Sequence, residues 1–327
     1  MDFIAIGDTT IDEFITLKEA HVNCDANRQN CSISMKWGDK IPYESSVLVP
    51  GVGNAANAAV AAARLGLRSG FISNVGKDSF GEEILATFAR EGVNTEYVAV
   101  NDGIPTNHHY VLCYEAERTI LIRHEAYPYA MPKEFAPPKW FYLSSIGEQS
   151  ESFHSELAQW LREHPETKLA FQPGTFQIKM GMEKLADLYA VTEVVACNKE
   201  EAERILEIGE TDIKELLGKM RALGPKTALI TDGTNGAYVS NGTEMLKVPM
   251  YPDPKAPANR TGAGDAMTST FIIALALGKS LQEALLWGPI NSMSVVQHIG
   301  AQKGLLTRPE LEKFLADAPA EYRAEPF

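Results

Sequence analysis

The chain has 327 residues, 45% apolar and 22% charged, with a formal net charge of −13. A general nucleic-acid binder needs a basic footprint, and no Lys/Arg cluster supplies one; a membrane span needs roughly 18 apolar residues in a row, and no stretch reaches that. The N-terminal Met-Asp-Phe-Ile-Ala-Ile-Gly-Asp lacks the basic and long apolar regions of a signal peptide, whereas an anionic small ligand stays open, because a nest of backbone N–H groups can hold an anion inside an acidic protein.

Phe3 to Ile6, ended by Gly7, reads as a short buried parallel strand. Asp12 follows just beyond its carboxyl end, where open α/β sheets place their ligands. There it can accept a substrate hydroxyl, or serve as an ordinary turn carboxylate. Residues 15 to 49 break the pattern. Residues 32–37 and 43–49 alternate like strands around Gly38, Asp39 and Lys40, and predict a small set of strands outside the main sheet, suited to a lid. Cys24 and Cys31 lie in this stretch, with Cys113 and Cys197 far away, so reduced thiols are the expectation. His21, Cys24 and Cys31 match no usual zinc spacing and lack an evident fourth ligand.

Pro50 to Asn57 then runs into an Ala-rich helix that ends at Gly66. Gly53 permits close approach of a ligand, and the amides of Asn54 and Asn57 suit sugar hydroxyls; a helix cap accounts for one of the two Asn residues but less easily for both. Residues 70–76 predict a strand, residues 82–91 an amphipathic helix stopped at Gly92, and residues 98–100 another strand. Residues 108–114 and 118–123 alternate about a turn, a hairpin that offers a second piece of lid. Arg118 and Arg123 on it either reach a polyhydroxylated or anionic ligand or are solvated edge-strand charges. From Trp140 onward strands (140–144, 168–172, 194–197, 227–231) alternate with helices (152–164, 180–190, 211–223, and one opening at Asn198). That rhythm predicts a mostly parallel sheet with helices on both faces, one domain over 1–327 with lid segments at about 15–49 and 104–124.

Residues 258–278 form a second loop-to-helix junction, with a closing Gly278. Gly262 and Gly264 leave room for an anion beside helix N–H groups that have no intrahelical partner. Asp265 stands beside this cradle, either as a helix cap or as a base that takes a proton from a hydroxyl attacking a phosphoryl group.

Taken together these segments resemble the ribokinase-like, or PfkB-type, carbohydrate kinases. Val52-Gly53-Asn54-Ala55-Ala56-Asn57 resembles that family's N-terminal signature and Thr261-Gly262-Ala263-Gly264-Asp265 its C-terminal one. Val75 to Gly81 is similar to its Val-Gly-x-Asp-x-Phe-Gly turn, Asn198 to Glu201 to its Asn-x-x-Glu motif, and residues 291–304 to its C-terminal nucleotide and cation segment. The resemblance implies a ribokinase-like α/β fold and an ATP- and Mg²⁺-dependent cytoplasmic kinase acting on a sugar, with a nucleoside kinase or a non-catalytic binding regulator as the alternatives. It implies Asp265 as base, Gly262, Ala263 and Gly264 as anion hole, and Asp12, Gly53, Asn54 and Asn57 as sugar ligands. It also implies Asn198, Thr231, Gly233, Gly236 and Asn291 at the nucleotide and Glu201 near Mg²⁺ through water. Lid strands that pair between subunits imply a homodimer. The chain departs from the family at Val52, where a glycine is usual, and at Asn259-Arg260, where Asp-Thr is usual. Asn259 keeps an oxygen ligand but drops the charge, which weakens the case for a K⁺ site at Asn259 and Thr261.

Overall fold

The computed structural model describes residues 1–25, 31–115, 117–258 and 260–327. The first half contains β1 (Phe3–Ile6), β2 (Thr10–Leu17), β3 (His21–Asn23), β4 (Ser32–Ser34), β5 (Tyr43–Val52), α1 (Asn54–Arg64), β6 (Ser69–Gly76), α2 (Ser79–Arg90), β7 (Val98–Asn101), β8 (His108–Tyr114), β9 (Glu117–Leu121) and β10 (Trp140–Leu143). The second half contains α3 (Glu151–Glu163), β11 (Lys168–Phe171), α4 (Thr175–Met180), α5 (Ala186–Ala190), β12 (Val194–Asn198), α6 (Lys199–Ile205), α7 (Ile213–Ala222), β13 (Thr227–Thr231), β14 (Ala237–Ser240), β15 (Met245–Val248), α8 (Ala263–Ala276), α9 (Leu281–Val296), α10 (Arg308–Ala316) and β16 (Glu325–Pro326).

The main sheet has ten strands in the order β16-β15-β14-β13-β12-β11-β10-β1-β6-β7. From β7 to β13 every pairing is parallel; β14, β15 and β16 close one edge antiparallel. Strands covered on both sides read as continuous apolar runs, and β1 shows why. Phe3 and Ala5 enter a core with α1, α8 and α9, while Ile4 and Ile6 enter a second core with α3 and α7. Side chains alternate across a strand, so one apolar run feeds two cores.

A separate four-stranded sheet has the order β5-β2-β8-β9. It begins earlier than the sequence predicts. The chain turns at Gly7 and enters β2 at once, so Asp12 is a strand residue of the small sheet, paired with Val49 and His109, and not a loop residue past β1. β5 likewise runs on to Val52.

The cysteine expectation is also corrected. Antiparallel pairing of β3 with β4 sets Asn23 opposite Ser32, so the next positions outward are Cys24 and Cys31, and these form a disulfide. Cys113 and Cys197 are free thiols. Among the described residues no helix is long and apolar enough to cross a membrane.

Candidate active site

The N-terminus of α8 is set by Gly262. Its φ is 81°, and a Cβ there would lie 2.4 Å from the Ala301 Cβ, so both conformation and space demand glycine. Ala263 opens the helix and Asp265 is its third residue. At the other end, Gly278 (φ 83°) follows the last turn, and its N–H donates to the Leu275 carbonyl at 3.0 Å, while Lys279 N–H reaches Ala274.

The N-terminus of α1 faces α8. Gly53, at φ 125°, has no room for a side chain because a Cβ would meet the Asp8 carbonyl oxygen at 2.7 Å. Its smallness therefore serves the chain's own backbone at the carboxyl end of β1. The first turn of α1 then points two amides at Asp265. Asn54 Nδ2 donates to Oδ1 and Asn57 Nδ2 to Oδ2, each at 2.9 Å, and Gln172 Nε2 approaches Oδ1 at 3.4 Å. Asn57 is itself fixed, since its Oδ1 accepts from Gln302 Nε2 at 3.0 Å, which also donates to the Gly51 carbonyl at 2.7 Å. Gln172 accepts from the Tyr142 hydroxyl, which orients its amide with nitrogen toward the carboxylate. Burial pushes the Asp265 carboxyl above its ordinary value, and the bonds from Asn57, Gln172 and Asn54 offset only part of that.

Beside α8 lies a cavity of about 300 Å³. Thr231, Gly233 and Gly236 line it from the turn after β13; Arg260, Ala263 and Gly264 line it from the start of α8; Met267, Pro289 and Met293 give it an apolar wall. Of the residues expected at the nucleotide and the anion hole, Thr231, Gly233, Gly236, Ala263 and Gly264 line this one space. The Ala263 N–H also lies 3.4 Å from the Arg260 carbonyl, a long contact easily given up to a better acceptor. Asn198 pairs in register with Thr231 and caps α6. Its Oδ1 accepts from Glu201 N–H at 2.8 Å, and Glu201 Oε2 accepts from the Asn198 N–H at 2.9 Å. Burial pushes the Glu201 carboxyl up, the Asn198 N–H works against that, and the Asp265 charge adds to the rise. The carboxylates of Glu201 and Asp265 feel each other's charge, and both are hard oxygen donors of the kind Mg²⁺ takes. Among the described residues no three His, Cys, Asp or Glu side chains form a metal cage. Mg²⁺ keeps several waters and binds chiefly to substrate phosphates, a mode that one or two carboxylates such as Glu201 suit.

Three sequence expectations need correction. Asn291 does not line the cavity: fully buried, it donates to Thr270 Oγ1 at 2.8 Å and accepts from Leu306 N–H at 2.9 Å. Arg118 is exposed on the edge strand β9, and Arg123 is exposed and paired with Glu125 at 2.7 Å, so neither joins the site. Asn259 lies outside the described residues; Thr261 stands half-buried at the start of the α8 loop.

Between the small sheet and the carboxyl end of β1 is a group the sequence did not reveal. Parallel pairing of β2 with β8 sets Asp12 beside His109, Oδ1 to Nδ1 3.3 Å. The His109 ring lies 5.0 Å from that of His124, whose Nδ1 is 3.3 Å from Asp8 Oδ2. Tyr129 donates its hydroxyl to Asp8 at 2.9 Å, and burial with the Asp8 charge pushes that hydroxyl far above its ordinary value. The His124 ring packs edge-on against Phe176, four residues after Gln172. Gln172 was detectable in principle, at the end of the 168–172 run and before Pro173. His109 and His124 were not, because only strand register joins them to Asp12 and Asp8.

A mostly parallel sheet, with a carboxylate pinned by three amides at the N-terminus of a helix whose first residues line a cavity, is the frame of an α/β phosphotransferase that uses an alcohol group as acceptor. Residues 23–308 match the model of the pfkB family carbohydrate kinases, and the chain belongs to that family. It is 29% identical over 286 residues to the ribokinase of Bacillus subtilis (strain 168), covering 86% of this chain and 92% of that one. The fold matches that of a Methanocaldococcus jannaschii nucleoside kinase with a TM-score of 0.80 at 19% identity, covering 97% of this chain and 99% of the other. It matches Arabidopsis thaliana ribokinase complexed with ribose and ATP with a TM-score of 0.78 at 21% identity, covering 96% and 98%. The protein is an ATP-dependent kinase of the sugar-kinase type.

Proposed function

We propose that the chain transfers the γ-phosphoryl group of ATP to a hydroxyl of an unphosphorylated sugar or sugar-like polyol, with Asp265 as the base. The observation that carries this reading is the pinned carboxylate: three amides hold Asp265, and the two residues before it on α8, Ala263 and Gly264, line the cavity together with Thr231, Gly233 and Gly236. A base works best when its proton affinity is raised toward the working pH while it stays mostly ionised, and burial moves Asp265 in that direction. Asp265 takes the acceptor proton as the hydroxyl oxygen attacks phosphorus. The N–H groups of Gly262, Ala263 and Gly264, with the positive end of the α8 dipole, then stabilise the charge that spreads over the transferring phosphoryl oxygens. Arg260 adds a positive charge to the same wall. Asn198 and Glu201 would hold Mg²⁺ through water, and that ion would supply charge neutralisation on the phosphates.

In this reading residues 1–327 form one kinase domain, with the small sheet as a lid that closes over the acceptor and excludes water. Gly53 shapes the acceptor loop, while Asn54 and Asn57 act on the acceptor chiefly through Asp265. A homodimer through the lid agrees with the exposed apolar side chains of its strands, among them Val47, Leu48, Leu121 and nearby Ile122. A K⁺ requirement is not part of the proposal, and a cytoplasmic location is. The test is ADP release with Mg²⁺·ATP over free sugars, nucleosides and sugar phosphates. Turnover of a free sugar supports the proposal. Turnover confined to nucleosides favours the alternative, in which exposed Trp37, Tyr43 or Tyr110 stacks on a base. Stabilisation by ligands with no turnover at all favours a binding regulator.

A further inference from the structure

We propose that Gln302 is a positioning residue of this kinase, one that fixes which end of the Asn57 amide faces the Asp265 carboxylate, and that Arg64 holds Gln302 in place to do so. The inference rests on the kinase reading above and gives a task to two residues which that reading does not use. An amide presents a donor at one end and an acceptor at the other, so its direction matters wherever it meets a charge. The direction of these amides follows from one group that has no choice. The Gly51 carbonyl can only accept, and Gln302 Nε2 lies 2.7 Å from it, so nitrogen must occupy that end of the Gln302 amide. The same nitrogen is 3.0 Å from the Asn57 side chain, which must therefore present its oxygen. That leaves the Asn57 nitrogen for Asp265 Oδ2, at 2.9 Å. Gln302 is 8% exposed and Asn57 4%, so water offers no ready substitute for either partner. Without Gln302, the Asn57 oxygen is buried short of a donor, and the side chain is free to leave Asp265 in search of one.

Gln302 is carried by the segment after α9, and that segment is fastened to the two helices that make the site. Ala301 abuts Gly262, the residue that sets the N-terminus of α8. On α1, Arg64 Nη1 donates to the carbonyls of Gln302 and Leu305, each at 2.8 Å. Arg64 Nε and Nη2 donate to the Glu91 carboxylate, also at 2.8 Å each. Asn57 and Arg64 are seven residues apart on α1, so they share one face of the helix and stand about 10 Å apart along its axis. One helix face thus grips the segment twice, once at the Gln302 side chain and once at its carbonyl. A guanidinium suits the second grip. Its five donors in a fixed plane let it fork to a carboxylate and still reach two carbonyls, which a lysine ammonium cannot match. Arg64 closes α1 at the end remote from Asn54 and Asp265, so its part is to hold the segment and not to touch the reacting groups.

The experiment uses the full-length protein with Mg²⁺·ATP, and D-ribose, D-fructose and adenosine as acceptor probes. The variants are Gln302→Met, Gln302→Glu and Arg64→Lys, each alone and combined with Asn57→Ala. Gln302→Met keeps the bulk and removes the amide. Gln302→Glu keeps the shape but turns the donor into an acceptor, so the Asn57 nitrogen is drawn to two carboxylates at once. In the otherwise wild-type protein Gln302→Met lowers kcat about fivefold to tenfold, Gln302→Glu lowers it further, and Arg64→Lys lowers it about threefold, while the KM for ATP changes less than about twofold. In the Asn57→Ala background the same changes lower kcat less than about twofold, because no amide is left to orient. A residue that only supports the fold gives equal losses in both backgrounds, and that result overturns the proposal. An unchanged kcat in Gln302→Met also overturns it, and in either case the kinase reading stands. If Gln302→Met fails to fold, Gln302→Glu and Arg64→Lys supply the same comparison of backgrounds. If wild type turns over no probe, the kinase reading fails on its own. Melting temperatures of Gln302→Met, Asp265→Asn and the double variant then decide the positioning role. Gln302 and Asp265 meet only through Asn57, so non-additive shifts support that role and additive shifts remove it.

Discussion

The cavity beside α8 and the group at the small sheet are built by different means. The cavity side is shaped largely by backbone: turns at Gly233 and Gly236, and a helix N-terminus set by Gly262, form its walls, with Arg260 beside them. The group at the small sheet is a side-chain construction, in which Asp8, Asp12, His109, His124 and Tyr129 come from β2, β8 and the loops beside them. A backbone site leaves little freedom of residue type, because a glycine that abuts Ala301 tolerates no Cβ. A side-chain site can be rebuilt by exchanging residues on a conserved frame of strands. On the proposed function, the backbone-built half carries the chemistry, and the side-chain half is the one free to vary.

The sharpest break in that contrast comes at the shared residue. Asp265→Asn removes the base and keeps the shape, and kcat should fall by about 10³-fold or more. Its stability should move the other way. The Asp265 carboxyl lies above its ordinary value in the fold, so folding disfavours the ionised form relative to the unfolded chain. Such a group stabilises below its unfolded value, about pH 4, and that contribution is lost as pH rises through the folded value. Melting temperatures should show the Asn variant gaining on wild type from acid to neutral pH; a gap independent of pH contradicts the sign.

Gly262→Ala comes next, as a test of the backbone half. With φ at 81° and Ala301 in the way, the first turn of α8 must shift. A loss of about 1–3 kcal/mol in stability and of about 10²-fold in kcat is expected, measured by denaturant unfolding and steady-state turnover. Asn57→Ala probes the seam between the halves. Its amide favours the charged carboxylate, so removing it raises the Asp265 carboxyl further and moves the acid limb of the kcat/KM profile to higher pH. A roughly tenfold drop in kcat at neutral pH should accompany the shift.

How much of this was legible in the sequence follows the same division. The backbone half leaves a local signature, because glycines, a helix start and a carboxylate must be neighbours in the chain. Thr261 to Asp265, and Val52 to Asn57, could be read without a structure. The strands of the main sheet were legible for a related reason: burial on both faces writes an apolar run such as Trp140-Phe141-Tyr142-Leu143. The group at the small sheet was not legible, since His109 meets Asp12 through the register of β2 with β8, across almost a hundred residues. Asn54 and Asn57 stood out in the sequence as candidate sugar ligands, but not that their amides are turned on Asp265. The Cys24–Cys31 disulfide was missed because it too depends on cross-strand register.

Asn291 supplies the smallest effect on activity and the finest test of the comparison. It sits within the α9 turn whose neighbours Pro289, Ser292 and Met293 reach the nucleotide cavity, yet its own side chain faces inward. There it joins α8, through Thr270, to the chain leaving the helix, through Leu306. Asn291→Ala leaves a buried hydroxyl and a buried N–H short of a partner, which costs about 1–3 kcal/mol in unfolding free energy. If nucleotide binding depends on main-chain groups and an apolar wall, that loss stays in stability, and the KM for ATP of the folded variant remains within about twofold of wild type, a difference of under 0.5 kcal/mol. A KM for ATP raised tenfold, with folding intact, would return Asn291 to the nucleotide site and show that the cavity relies on side chains as the group at the small sheet does.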